Sequence, residues 1–362
     1  MLAVVGALVA TSLGCGSSTG SNADAGPDGP SVPACEAKEA VDLGSGTVLD
    51  AVIVNGVPTA LVNTGTELRV VTATTSATIA TVASTADGAI AVDPAGRVCV
   101  AYRLIRNDSQ STFQFACAPN WQAIDTLQKG DSAAAKLAYS SKICATAASG
   151  CVSSNAWILY YQGRFASVEV ATAPADGLVW SDENMSISSV TAPYGVADLD
   201  GQSAACFGGN GSATLLTNHP YRGEIDDVTA WASRRSPVCR IAAKGRDVSI
   251  MFAGDPGYML AQWTVPLLPF EMWPVPPVAV ATPLIGASAV NYFALSQWGA
   301  TLAVAFQGAD ATLQFATYKD GAWNQGPLGP VINDPIMLVS DATTLGVFAT
   351  VQGKTTLWLK CQ

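Results

Sequence analysis

The chain has 362 residues, 49% of them hydrophobic and only 13% charged, with a formal net charge of −10 and a pI near 4.5. That composition supplies core for one large or two average domains and excludes a disordered chain. Only 18 basic residues stand against 28 acidic ones, and Arg234-Arg235 is the one adjacent basic pair, so the clustered cations that bind a phosphate backbone are absent and no nucleic-acid partner is expected.

Leu2 to Leu13 is an apolar run ending at Gly14-Cys15. It is too short to cross a bilayer, which takes about 20 helical residues, and fits the apolar stretch of a secretory signal. The Ser12-Leu13-Gly14-Cys15 sequence resembles the box of bacterial lipoproteins. The resemblance implies a signal peptide over 1–14, lipid on Cys15 as the new N-terminus, and a membrane partner through that lipid. Residues 15–33, rich in Gly, Ser, Asp and Pro with Val32 as the one large apolar side chain, read as a flexible tether. The expected localisation is export and outer-membrane anchoring, on the periplasmic or the cell-surface side.

The body, 34–362, is all-β by pattern. Its clearest unit is Gly299 to Gly326, where Leu302, Val304 and Phe306 alternate, a turn passes through Gly308-Ala309-Asp310, and Leu313, Phe315 and Thr317 alternate again before Lys319-Asp320-Gly321 and Trp323. Period-2 apolar runs around a short Gly/Asp turn predict a β-hairpin. Similar units begin near Gly56, Gly96, Lys142, Gly201, Gly245, Gly299 and Thr343. A further apolar strand precedes most of them, at Ala89–Val92, Val190–Val196, Val238–Ala243, Val290–Leu295 and Ile336–Val339. A repeat of about 45 residues suits four-stranded blades, and the pattern resembles seven-bladed β-propellers. That resemblance implies seven four-stranded blades around a channel, with Glu39–Leu43 closing the ring on the last one. A pair of β-sandwich domains is the competing architecture.

Nine cysteines, with Cys15 set aside for lipid, leave eight in an exported chain, which points to disulfides without choosing the pairs. The propeller resemblance implies Cys35–Cys361 across the closure, Cys99–Cys117 within a hairpin, Cys144–Cys151 around a short loop and Cys206–Cys239 between neighbouring blades. Aligned on the Gly299 unit, Cys99 faces Ala116, so the second pair requires a bulge that shifts the register. The cysteine spacings match no zinc pattern, and neither metal nor cofactor is expected.

His219 is the single histidine, in the charge-dense loop Asn218 to Asp227. Asp87-Gly88, Asp198-Leu199-Asp200-Gly201 and Asp320-Gly321 lack the alternating ligands of a calcium cage and read as turns. Two carboxylates are the minimum for glycoside cleavage, and Glu224 with Asp226 or Asp227, beside His219, are the candidates for a hydrolase. Sialidases resemble this palette, but their repeated S-x-D-x-G-x-x-W boxes are absent. The favoured expectation is binding rather than catalysis, with Arg103, Arg106, Trp157, Tyr221, Arg222 and Trp298 as candidate ligand contacts, since Trp, Tyr and Arg carry interface energy disproportionately. A glycan or an envelope protein is the expected partner, a role as an envelope scaffold without a small ligand is a further alternative, and the chain is expected to be a monomer.

Overall fold

The computed structural model describes residues 38–81, 87–105, 111–129, 135–144, 151–162, 167–188, 190–209, 213–217, 238–254, 257–265, 280–281, 284, 292–332 and 334–362. Their strands, β1 to β27 in chain order, form seven separate antiparallel sheets. The first strands of these sheets are β2 (Thr47–Val54), β6 (Gly88–Val92), β10 (Ala135–Cys144), β14 (Val190–Leu199), β17 (Cys239–Lys244), β21 (Phe293–Trp298) and β25 (Met337–Ser340). Each touches the next, and β25 returns to β2. The fold is a closed β-propeller, and these strands are its innermost layer.

Six sheets hold four strands. The fourth, β14 with β15 (Gln202–Gly209) and β16 (Ala213–Thr217), holds three among the described residues, which corrects the expectation of seven four-stranded blades. The last sheet takes its fourth strand from the other end of the chain. There β1 (Lys38–Ser45) pairs with β27 (Lys354–Cys361), Val41 opposite Leu357, and β27 follows β26 (Thr344–Val351). Strand addition at that point removes two edges that otherwise template aggregation. Lys354 Nζ donates to Asp42 Oδ2 at 2.6 Å across the seam, and this hydrogen bond holds the Asp42 carboxyl below its usual range.

The Gly299 unit forms β22 (Thr301–Gln307) and β23 (Thr312–Lys319). Leu302, Val304 and Phe306 pack towards the fifth sheet with Met251 and Tyr258, whereas Ala303 and Ala305 pack towards the last sheet with Leu345 and Val347. The alternation is therefore large against small, because both faces of the strand are buried. The turn is longer than its sequence suggested. Gln307 lies opposite Leu313, Gly308 N donates to Thr312 O, and Ala303 faces Thr317. Asp310 Oδ1 accepts from Thr312 N at 3.0 Å and so organises the wider loop. Two-residue turns occur elsewhere. Asn55-Gly56, with φ of 49° and 79°, has the left-handed pair that tight hairpins require.

The same correction applies to the cysteines. In β7 (Val98–Ile105) and β8 (Ser111–Cys117) Cys99 lies directly opposite Cys117 with no bulge, and the two are disulfide-bonded. Cys206 on β15 is bonded to Cys239 on β17, which ties the fourth sheet to the fifth. Cys361 is also in a disulfide, while Cys35 lies outside the described residues. The backbones of Cys144 and Cys151 oppose each other between β10 and β11 (Cys151–Gln162). The third unit starts one strand later than its sequence suggested: Lys142 belongs to the innermost strand, and the second strand begins at Cys151.

Candidate functional site: the central channel

The innermost strands enclose a cavity of about 820 Å³, lined by residues from all seven sheets. Most of the wall is small or aliphatic, such as Ala51, Ala91, Ala242 and Ala294. Three charged side chains interrupt it in the first half of their strands: Asp50 on β2, Lys136 on β10 and Arg240 on β17.

Asp50 is held from two sides. Its Oδ1 accepts from Lys136 Nζ at 2.6 Å, and its Oδ2 accepts from the backbone N–H of Ile90 at 3.2 Å. A bulge in β2 between Val48 and Asp50 sets the direction of this carboxylate. A second bulge, in β14 between Pro193 and Gly195, carries Tyr194, whose ring lies 5.7 Å from the Arg240 guanidinium. Phe293 flanks the same guanidinium at 5.4 Å, and Arg240 Nη1 donates to Cys239 O at 3.0 Å. Burial lowers the Arg240 pKa to about 10, against the opposing pull of Tyr194, Asp50 and Tyr258. It therefore keeps its proton at neutral pH. Burial likewise pushes the Tyr258 hydroxyl up.

The opposite end of the channel carries Asp93, Asp198 and Asp341, and each carboxylate is occupied by its own turn. Asp93 accepts from Ala95 N and Arg97 N and pairs with Arg97 Nε at 3.0 Å. Asp198 accepts from Gly201 N, and burial raises its pKa. Asp341 accepts from Thr343 N and Thr344 N at 2.8 and 2.7 Å. These groups build hairpins, whereas Asp50, Lys136 and Arg240 face the cavity within strands that do not need them.

The sequence-selected contacts do not gather here. Trp157 has 0% exposure, donates its indole N–H to Ala175 O at 3.2 Å and packs edge-on against Tyr139, which makes it core. Arg103 sits on a second strand, outside the cavity lining, with its Nη2 3.6 Å from Asp87 Oδ2. Trp298 is half-buried against the cluster that joins the last two sheets. Arg106, His219, Tyr221, Arg222, Glu224, Asp226, Asp227, Arg234, Arg235 and Cys15 lie outside the described residues. Sequence reasoning passed over Asp50, Lys136 and Arg240. The available signal was a single charge inside an otherwise apolar stretch, as in T-V-L-D-A-V-I-V, A-K-L-A-Y and C-R-I-A-A, although β10 and β17 each carry a second charge further along.

No family model matches the chain, and no curated protein matches its sequence. Solved structures share its fold. The BP39L lectin from Burkholderia pseudomallei superposes with a TM-score of 0.60 at 14% identity, over 90% of this chain and 96% of that one. The Cps50 (Swd1) β-propeller domain from Myceliophteria thermophila gives 0.56 at 10% identity, over 90% and 99%. The Dos1 propeller gives 0.50 at 10% identity, over 86% and 77%. At such identities the likeness shows a β-propeller and nothing finer.

Proposed function

We propose that this chain is a ligand-binding propeller whose ligand enters the central channel, with saccharides as the favoured class. The observation that carries the reading is the cavity itself, of about 820 Å³, with Asp50, Lys136 and Arg240 set into a wall of small side chains towards one end. Ligand sites are concave, mostly apolar and equipped with a few polar groups that fix orientation, in volumes of about 300–1,000 Å³. Kinship of fold with a lectin propeller makes sugars the first ligands to test. Sequence features add the setting: the apolar run before Cys15 and the tether over 15–33 support export and a lipid anchor at the cell envelope.

The hydrolase alternative needs two carboxylates flanking a bond. Among the described channel residues the one carboxylate at the cationic level, Asp50, is bound to Lys136 and Ile90, so the cavity favours binding. A scaffold without a small ligand predicts a pocket-free face, which the cavity does not match. A glycan array followed by titration calorimetry tests the reading. Binding that Lys136→Met or Tyr194→Ala weakens supports it, and a protein that binds no saccharide sinks it. Mass spectrometry of the mature N-terminus tests the anchor, with an unmodified Cys15 as the adverse result.

A further inference from the structure

Three observations converge on Arg240. It is half-buried on the cavity wall, yet among the described residues no carboxylate lies within ion-pair distance of it. Among the described residues its one hydrogen bond uses Nη1, on Cys239 O, which leaves Nε and Nη2 without an acceptor there, and the residue lines the cavity. The neighbouring Asp50 is already committed to Lys136 and to the Ile90 N–H. Asp50, Lys136 and Arg240 together therefore carry one net positive charge at this level of the channel.

Holding an uncompensated cation away from bulk water is costly, and an apolar side chain at that place would relieve the cost. Tyr194 and Phe293 flank the guanidinium and hold it in position rather than neutralise it. A planar cation fixed between rings, with part of its fork free, is suited to a carboxylate, which accepts two parallel N–H donors.

We propose that Arg240 is the anion-docking residue of the channel and that the ligand is a saccharide bearing a carboxylate. This assignment rests on the binding function proposed above and narrows it. The whole molecule carries a net charge of −10, so its long-range field repels polyanions. The positive site is local, which selects a short ligand or a chain end with a single acidic group over a densely charged polymer.

The test pairs ligands that differ only in the acid. Titration of the full chain with glucuronate-ended and matched glucose-ended oligosaccharides should give a preference for the acid of about tenfold to a hundredfold, the range of hydrogen bonds to a charged group. Arg240→Met should abolish the preference and Arg240→Lys should retain part of it, since the charge stays and the fork is lost. A readout independent of any variant is phenylglyoxal modification of the unaltered protein, mapped by mass spectrometry. The acidic ligand should protect Arg240 and the neutral one should not. Equal binding of the acidic and neutral sugars, with no protection, overturns this inference and leaves the saccharide reading standing. Protection by acetate or inorganic phosphate but by no saccharide overturns both. A folded Arg240→Met protein with an undiminished acid preference overturns the assignment to Arg240 alone.

Discussion

Replacing Asp50 with alanine tests whether the channel charges are held as the distances indicate. The change removes the acceptor of Lys136 Nζ at 2.6 Å and of the Ile90 N–H at 3.2 Å. Both side chains of the pair are well buried, with exposures of 11% for Asp50 and 12% for Lys136, and Ile90 is 2% exposed. Removing one partner of a buried pair costs about 3–5 kcal/mol where the orphaned charge stays dry. Here the cavity admits water to the ammonium, so the loss should fall to about 2–3 kcal/mol. Urea unfolding followed by tryptophan fluorescence measures it. Asp50→Ala with Lys136→Met should recover much of the loss, because no charge is then stranded. A single-variant loss below about 0.5 kcal/mol at an unchanged m-value would refute the argument, as would a double variant no better than the two singles added.

Other consequences are open to measurement. Removing residues 38–45 strips β1 from β27, unpacks Val41 and Leu43 and frees a sheet edge, so the melting temperature should fall and light scattering should rise; an unchanged melt would contradict closure by β1. Loop-closure entropy ranks the two described disulfides. With separations of 18 and 33 residues they should contribute about 3 and about 4 kcal/mol, so Cys206→Ala with Cys239→Ala should destabilise more than Cys99→Ala with Cys117→Ala in calorimetry. Burial raises the Asp87 pKa to about 6, only partly offset by Arg103. The folded state therefore holds that proton more tightly than the unfolded one, and this contribution, about 2 kcal/mol, is present at pH 4 and lost as pH rises through 6. Urea midpoints of Asp87→Asn should lack that component between pH 4 and 6; superimposable profiles would argue against it.

How far the molecule was legible depended on which faces of a strand are buried. The ring and its closure were readable because Gly and Asp turns recur at near-constant spacing, and Glu39–Leu43 had no other sheet to join. Local register was not, since the Gly308–Thr312 turn admits more than one length and only the pairing of Gln307 with Leu313 decides it. Trp157 was misread as a contact because aromatic character is equally compatible with an exposed loop and with a strand covered on both sides. Its neighbours Ile158, Leu159, Tyr160 and Tyr161 form an unbroken apolar run, and that run was the better guide. Charge density drew attention to Asn218–Asp227, while the described cations of the channel sit one to a strand, where no local cluster announces them.

The placement of bulges explains why the site is built on the innermost layer. Between the second and third strands of every sheet the described register runs without a single shift. Those strands are packed on both faces, and a one-residue slip there exchanges the side chains of two cores at once. Shifts occur instead where an outer or an inner strand joins that pair, and the inner ones lie on the ladders of β2 and β10, one each, and of β14, which has two. Two of these four adjoin groups of the charged cluster, Asp50 and Tyr194. An innermost strand has one edge on its ladder and the other on the cavity, so an inserted residue disturbs little and re-aims a side chain towards water. The scaffold thus keeps irregularity out of the doubly packed middle strands and admits it at the outer rim and at the channel, and the charges that break the apolar pattern at the channel sit in a layer that tolerates them for the same physical reason.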